Sequence, residues 1–248
     1  MHRKALILVA SLLIVLSGVM VIAPLPTSPA GPDMDCVVHF DIPDYGVMGS
    51  GTIIRSGHYY RVDGDPNTPP EVIGAYFDVL TAYHCLCRDK ADQDMTAWPD
   101  VRYDVLYKMG TSEEERFTNG VVLYGDPERD LAVLRFQGRV DCRIPKVATK
   151  PLERFQEVYI TGSTLGAAIT STFGRVTGFW LPTIQCARTI ADAHAQPGIS
   201  GGGVWVFEDG EWKLVGVLVQ GFQQGFGFLH HCALLVPLED LEWFLKTH

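Results

Sequence analysis

The chain has 248 residues, 47% hydrophobic and 20% charged, so it can bury a sizeable core and is not an intrinsically disordered polymer. Its formal net charge of −9 argues against nucleic-acid or anionic-membrane partners, since both favour basic patches. The 25 glycines and 15 prolines suit a fold with many turns.

The first element is a leader. Met1-His2-Arg3-Lys4 is a basic start, Ala5 to Ala23 runs without a charge, and Pro24, Pro26, Pro29 and Pro32 then stop any helix. With small residues at Ser28 and Ala30, residues 1–30 read as a secretory signal cut after Ala30. The uncharged run is also just long enough to span a bilayer, so an uncleaved membrane anchor is the alternative. Either reading places the rest of the chain outside the cytoplasm, as a secreted, periplasmic or membrane-anchored protein. The six cysteines, Cys36, Cys85, Cys87, Cys142, Cys186 and Cys232, then read as a disulfide set in a compartment that permits one. Cys85 and Cys87 beside His84, and Cys232 beside His230 and His231, have zinc-binding chemistry but not the spacing of a finger or ribbon. No metal and no cofactor is expected.

From Cys36 the pattern becomes short apolar runs cut by Gly, Pro, Asn and Asp. Strands are predicted at Cys36–Phe40, Gly51–Arg55, Tyr76–Thr81, Val101–Tyr107, Gly120–Tyr124, Leu131–Phe136, Glu157–Ile160, Thr170–Phe179, Ile184–Ile190, Gly203–Phe207, Lys213–Val219 and Cys232–Val236. Such a succession defines an all-β barrel or sandwich. Ser56 to Ile73 is polar and Pro-rich and reads as a long surface loop. Asp63, Asp65 and Asn67 in it do not make a calcium loop, because Thr68 and Gly74 stand where glycine and glutamate are needed. Arg139 to Leu152 has no strong strand pattern and reads as a link between two halves. Leu238 to Lys246, with Leu238, Leu241 and Leu245 at helical spacing, is the one clear helix.

Three segments carry chemistry together: Leu80-Thr81-Ala82-Tyr83-His84-Cys85, Asp130-Leu131-Ala132-Val133-Leu134, and Gly198-Ile199-Ser200-Gly201-Gly202-Gly203. Each alone is ordinary: a packed histidine, a turn aspartate, a glycine-rich loop. Together they supply a hydroxyl nucleophile (Ser200), a base that titrates near neutrality (His84) and a carboxylate to orient that base (Asp130). The glycines allow a tight backbone that aims the N–H groups of Gly198 and Ser200 at a developing oxyanion.

These segments, in this order, resemble the L-T-A-A-H-C, D-[IL]-A-L-L and G-[DN]-S-G-G-P segments of the chymotrypsin-like (trypsin superfamily) serine peptidases. Gly49-Ser50-Gly51-Thr52-Ile53-Ile54 resembles the strand before the histidine, especially in bacterial proteases of the high-temperature-requirement type. Leu214 to Gly221 resembles the strand bordering the substrate cleft. The resemblance covers nearly everything from Val37 onward. It departs at Tyr83, at Ile199 in place of an aspartate and at Gly203 in place of a proline, and no PDZ module follows the helix.

The resemblance implies two six-stranded antiparallel β-barrels with a short C-terminal helix. Residues 31–140 would form the first barrel and hold His84 and Asp130, and residues 141–248 the second, holding Ser200. It implies an exported serine endopeptidase that cleaves proteins or peptides through an acyl-enzyme. A non-catalytic binding protein of the same fold, or an esterase with the same triad, are the alternatives. It also implies a primary pocket with His194 near its base and Val219, Gln220 and Gly221 along its wall. With no aspartate at His194, preference for Arg or Lys is not expected. It pairs Cys36 with Cys142 and Cys186 with Cys232. Since Ile199 offers no charge to a freed N-terminus, the loop around Gly198 should be held by packing and backbone hydrogen bonds, with Ile199 buried and no zymogen cleavage needed.

Overall fold

β-Branched and aromatic residues in short runs pair locally into antiparallel ladders, and the computed structural model shows how those ladders assemble. It describes residues 30–44, 46–61, 70–87, 101–180, 187–224 and 227–248. The leader up to residue 29, the Asp63–Asn67 turn and Cys186 lie outside the described residues.

The first half is one sheet. Its strands are β1 (Val37–Ile42), β2 (Val47–Arg61), β3 (Glu71–Thr81), β4 (Asp104–Tyr107), β5 (Glu115–Phe117), β6 (Val121–Asp126) and β7 (Leu131–Gln137), in the spatial order 5-4-1-2-3-7-6. The second half is a closed barrel of β8 (Glu157–Thr164), β9 (Ala168–Trp180), β10 (Arg188–Asp192), β11 (Gly203–Glu208), β12 (Glu211–Gln224) and β13 (Gly227–Val236), in the order 10-13-12-11-8-9. The helix α1 (Leu238–Thr247) follows.

The expectation of two closed six-stranded barrels is met in the second half only. In the first, β5 pairs only with β4 and β6 only with β7, so the seven-stranded sheet keeps two edges among the described residues. The sheet nevertheless curls. Phe77 of β3 and Phe117 of β5 stand four strands apart, roughly 19 Å in a flat sheet, yet their ring centroids are 4.8 Å apart. Their contact, with Phe136 stacked on Phe77, closes the core through side chains where hydrogen bonds do not.

Two further expectations are corrected. Ser56–Arg61 and Glu71–Ile73 are strand: Ser56 pairs with Phe77 and Arg61 with Glu71, and Tyr59 packs on Tyr76. Cross-strand pairing overrides the polar composition. The short β5, Glu115-Arg116-Phe117, was not expected, because three residues with one apolar position give no period to read.

The linking segment is strand-free apart from one bridge, Val147 to Leu214. The two halves share apolar contacts. Trp205, Leu214, Val217 and Val219 point out of the barrel and join the same core as Phe40, Leu80, Leu134 and Phe136 of the sheet. Leu241 and Phe244 of α1 enter that core too. Arg129 in the β6–β7 turn pairs with Asp126 and Asp240, and its guanidinium lies 3.7 Å from the Trp243 ring centroid. The helix is thereby tied to the turn that precedes Asp130.

Candidate active site

Register brings the first two predicted site residues together. β3 pairs with β7 so that Thr81 faces Ala132. Asp130 directly precedes β7, and His84 lies in a short 3-10 turn, Tyr83–Leu86, just after β3. Both therefore stand at the same end of one ladder. His84 meets Asp130 twice: its backbone N–H donates to Oδ1 at 2.8 Å, and Nδ1 lies 2.8 Å from Oδ2. A carboxylate only accepts, so Nδ1 carries the hydrogen and Nε2 is left as the basic face. Asp130 adopts φ +60°, a conformation costing about 1 kcal/mol for a residue with a Cβ, offset by these two bonds.

Nε2 faces Cys85, whose Sγ lies 3.7 Å from it and 3.6 Å from the Ser200 carbonyl. The sulfur thus sits between the imidazole and the backbone of Ser200. A Cβ on Gly49 would come within 2.9 Å of Cys85 Sγ, so only glycine fits there without displacing the sulfur. Burial disfavours the charged form of His84. The adjacent Cys85 sulfur and the Asp130 carboxylate outweigh it and raise the imidazole to about 10. Burial likewise works to raise Asp130, but its bonds from His84 hold it below the usual carboxylate range. Ser200 Oγ makes no hydrogen bond among the described residues. Bonds of this kind are commonly loose without substrate.

The third segment is a pinned loop. The Pro197 carbonyl accepts from Leu165 N–H at 2.9 Å, and the Gly198 carbonyl from Ser50 Oγ at 2.6 Å. The Ile199 carbonyl accepts from Gly202 N–H at 3.0 Å, and the Ser200 carbonyl from Ser50 N–H at 2.7 Å. In a trans peptide the N–H points opposite its carbonyl. With the Pro197 and Ile199 carbonyls turned into the protein, the N–H groups of Gly198 and Ser200 face away from it, and neither has a backbone acceptor among the described residues. Ile199 is 1% exposed, so its side chain is buried as expected. Gly198 has φ +93°, and a Cβ there would strike the Ser163 carbonyl at 2.5 Å.

Of the predicted pocket residues, Gly221 comes close to the segment that carries His194. Gly221 lies against Ala195, where an added Cβ would be 3.5 Å from the Ala195 Cβ. Val219 is buried in the core shared by the two halves, and Gln220 is exposed. His194 lines a cavity of about 500 Å³ with Phe173, Gly174, Arg175, Asp192 and Ala193, and its Nε2 lies 2.6 Å from the Gln196 side-chain nitrogen. None of Val219, Gln220 or Gly221 lines that cavity.

Cys36, Cys85, Cys87, Cys142 and Cys232 are free thiols. The expected Cys36–Cys142 bridge is not formed: Cys36 Sγ turns toward the Asp33 carbonyl at 3.4 Å. Burial first, and Cys142 nearby second, push the Cys36 thiol up to about 12. The Cys186–Cys232 pair involves a residue outside those described. Among the described residues no group of acidic, histidine and cysteine side chains could hold a metal, and no helix is long and apolar enough to cross a membrane.

Sequence reasoning passed over Ser50 and the position of Cys85. The signal for Ser50 was present in Gly49-Ser50-Gly51, whose flanking glycines allow close approach on both sides: a Cβ on Gly51 would meet Val79 at 2.3 Å. A second histidine–serine contact, His39 Nδ1 to Ser163 Oγ at 2.9 Å, is buried on both sides and out of reach of a substrate.

The chain belongs to the trypsin-like peptidase domain family, whose pattern matches residues 49–217, more than half of its length. Among solved structures it is similar to an inactive serine-to-alanine form of Rv3671c from M. tuberculosis H37Rv, with a TM-score of 0.60 and 16% identity over 88% of this chain and 94% of that one. It is similar to Deg5, with a TM-score of 0.58 and 19% identity over 86% and 88% of the two chains. It is also similar to the HtrA-type protease AlgW with a tripeptide, at 0.59 and 16% over 86% of this chain and 60% of that one. At these identities the likeness concerns the fold. No curated protein matches the chain.

Proposed function

We propose that the protein is a serine endopeptidase in which Ser200 is the nucleophile, His84 the general base and then acid, and Asp130 the residue that orients His84. The observation that supports this reading is the two-point bond between His84 and Asp130, which fixes the tautomer and leaves Nε2 as the basic face, with Cys85 Sγ 3.7 Å from it and 3.6 Å from the Ser200 carbonyl. Ser200 Oγ attacks the scissile carbonyl and its proton passes to Nε2. The carbonyl oxygen becomes an oxyanion held by the N–H groups of Gly198 and Ser200. Collapse expels the amine, which takes the proton from His84, and leaves an acyl-enzyme. Water, deprotonated by His84, then releases the acid and restores Ser200. Proteins or peptides are the substrates, and no freed N-terminus is required to order the oxyanion loop. Residues 1–30 would export the chain or anchor it to a membrane; fractionation of cells expressing tagged full-length protein distinguishes soluble from membrane-held forms.

The test is a fluorophosphonate probe on wild type and Ser200→Ala, followed by casein and small-ester assays. Labelling at Ser200, lost in the variant, with casein cleavage is the expected result. Folded wild type that neither labels nor turns over would leave a binding protein of this fold, and ester turnover without casein cleavage would make it an esterase. Ser200→Ala should lower kcat on the order of 10⁴- to 10⁶-fold.

A further inference from the structure

The peptidase reading requires two N–H groups to aim at one point, and a glycine at φ +93° is the loop's softest joint. We infer that Ser50, a residue of the first sheet, is the positioning residue that holds the oxyanion loop of the barrel in its working form; the inference rests on that reading.

Ser50 is wholly buried, and each of its polar groups is committed. Its N–H donates to the Ser200 carbonyl at 2.7 Å, and its carbonyl accepts from Thr81 Oγ1 at 2.7 Å. Its Oγ lies 2.7 Å from Ser163 N–H and 2.6 Å from the Gly198 carbonyl. The direction of these bonds is not free. A backbone N–H can only donate, so Oγ accepts from Ser163; a carbonyl can only accept, so the hydroxyl hydrogen goes to Gly198.

One side chain therefore spans the two halves and fixes the peptide plane that follows Gly198, while Leu165 N–H fixes the plane that precedes it. Turning the Gly198 N–H out of the site means rotating about the Gly198 backbone bonds, and with both planes pinned that rotation breaks a buried hydrogen bond. The Leu165 arm is itself held in an unfavourable form, with φ +54°. Close packing leaves no alternative partner: a Cβ on Gly201 would meet the Ser50 carbonyl at 2.1 Å, and one on Gly162 would meet Ser50 Oγ at 2.6 Å. Removing the hydroxyl leaves the Gly198 carbonyl and the Ser163 N–H buried without partners, and the joint between them free to turn.

The test compares wild type with Ser50→Ala and Ser50→Cys. For each, kcat and KM are measured on a peptide substrate, with the inhibition constant of a peptide aldehyde, whose adduct fills the oxyanion position, and that of the matching product acid. In Ser50→Ala, kcat should fall on the order of 10- to 100-fold with KM within about threefold, less than the loss of an oxyanion donor itself. Aldehyde affinity should fall by the same factor as kcat/KM, and product affinity should hold. A merely structural role would move melting temperature and leave the ratio of aldehyde to product affinity unchanged. If the alanine variant fails to fold, Ser50→Cys, similar in size with a weaker donor, decides: it should show the same selective loss to a smaller degree. A folded variant with wild-type kcat and aldehyde affinity overturns the inference and leaves the peptidase reading standing. A wild type inert to probe and substrate overturns the reading itself.

Discussion

The proposed reaction asks the His84 imidazole to be neutral in surroundings that favour its charge. Burial opposes the proton, but Cys85 and Asp130 together hold it. Because the base acts only when Nε2 is unprotonated, a raised value displaces activity to alkaline pH. The acid limb of kcat/KM should have its midpoint above 7 in wild type. Cys85→Ser should move it toward the ordinary imidazole value of about 6.5. Identical profiles in the two proteins would show that the sulfur does not act on the ring. The pairing of His84 with Asp130 was legible in the sequence, because each sits in a short segment whose spacing is local. The partners of the backbone around Ser200 were not. Ser50 meets Gly198 across 148 positions, and its neighbours in sequence announce tight packing without saying against what.

Among the elements, α1 has a role beyond covering the core. Helical spacing of Leu238, Leu241 and Leu245 marked the helix, while its buried face is Leu238, Leu241 and Phe244, with Leu245 partly buried. Its other side carries charge. There Asp240 pairs with Arg129, and Trp243 lies under the Arg129 guanidinium. Arg129 is adjacent in sequence to Asp130, so the helix braces the turn that aims the carboxylate. Arg129→Ala should lower kcat about tenfold with KM little changed, because small misplacement of an orienting group costs rate and not binding. The check is steady-state kinetics alongside a melting curve; equal losses of kcat and of folded protein would reduce the brace to a stability effect. The element the sequence could not supply was β5, whose single apolar residue, Phe117, matters only because the sheet curls it onto Phe77.

Across the whole molecule, the two halves are less separable than two self-contained barrels. The core of the first sheet is completed by Trp205, Leu214, Val217 and Val219 from the barrel and by Leu241 and Phe244 from α1. Residues 31–140 expressed alone should therefore lack a cooperative thermal transition, whereas residues 31–248 should show one by circular dichroism. A sharp transition in the fragment would mean that the sheet closes its core unaided. The sheet also carries the buried Asp78, gripped by Arg135 through two bonds of 2.7 and 2.9 Å. Arg135→Ala would leave that buried charge only the longer ion pair with Arg55, 3.6 Å away, and should lower the melting temperature. That the chain is built mostly of β-strands was legible from turn spacing. The open first sheet was not, because edge pairing depends on which strands meet across the molecule.

The glycine opposite Cys85 has a consequence for covalent engineering. The position where a Gly49 Cβ would fall is 2.9 Å from Cys85 Sγ, close to where the Cβ of a disulfide partner sits. Gly49→Cys should then cross-link to Cys85 under air, closing a loop of three dozen residues and raising stability by about 3 kcal/mol. Intact mass before and after reduction reads the bond directly. The staple would also take the sulfur away from His84, so the same variant should shift the acid limb of activity downward, as Cys85→Ser does. Chemistry and durability, usually traded against one another at an active centre, would here respond to one added side chain.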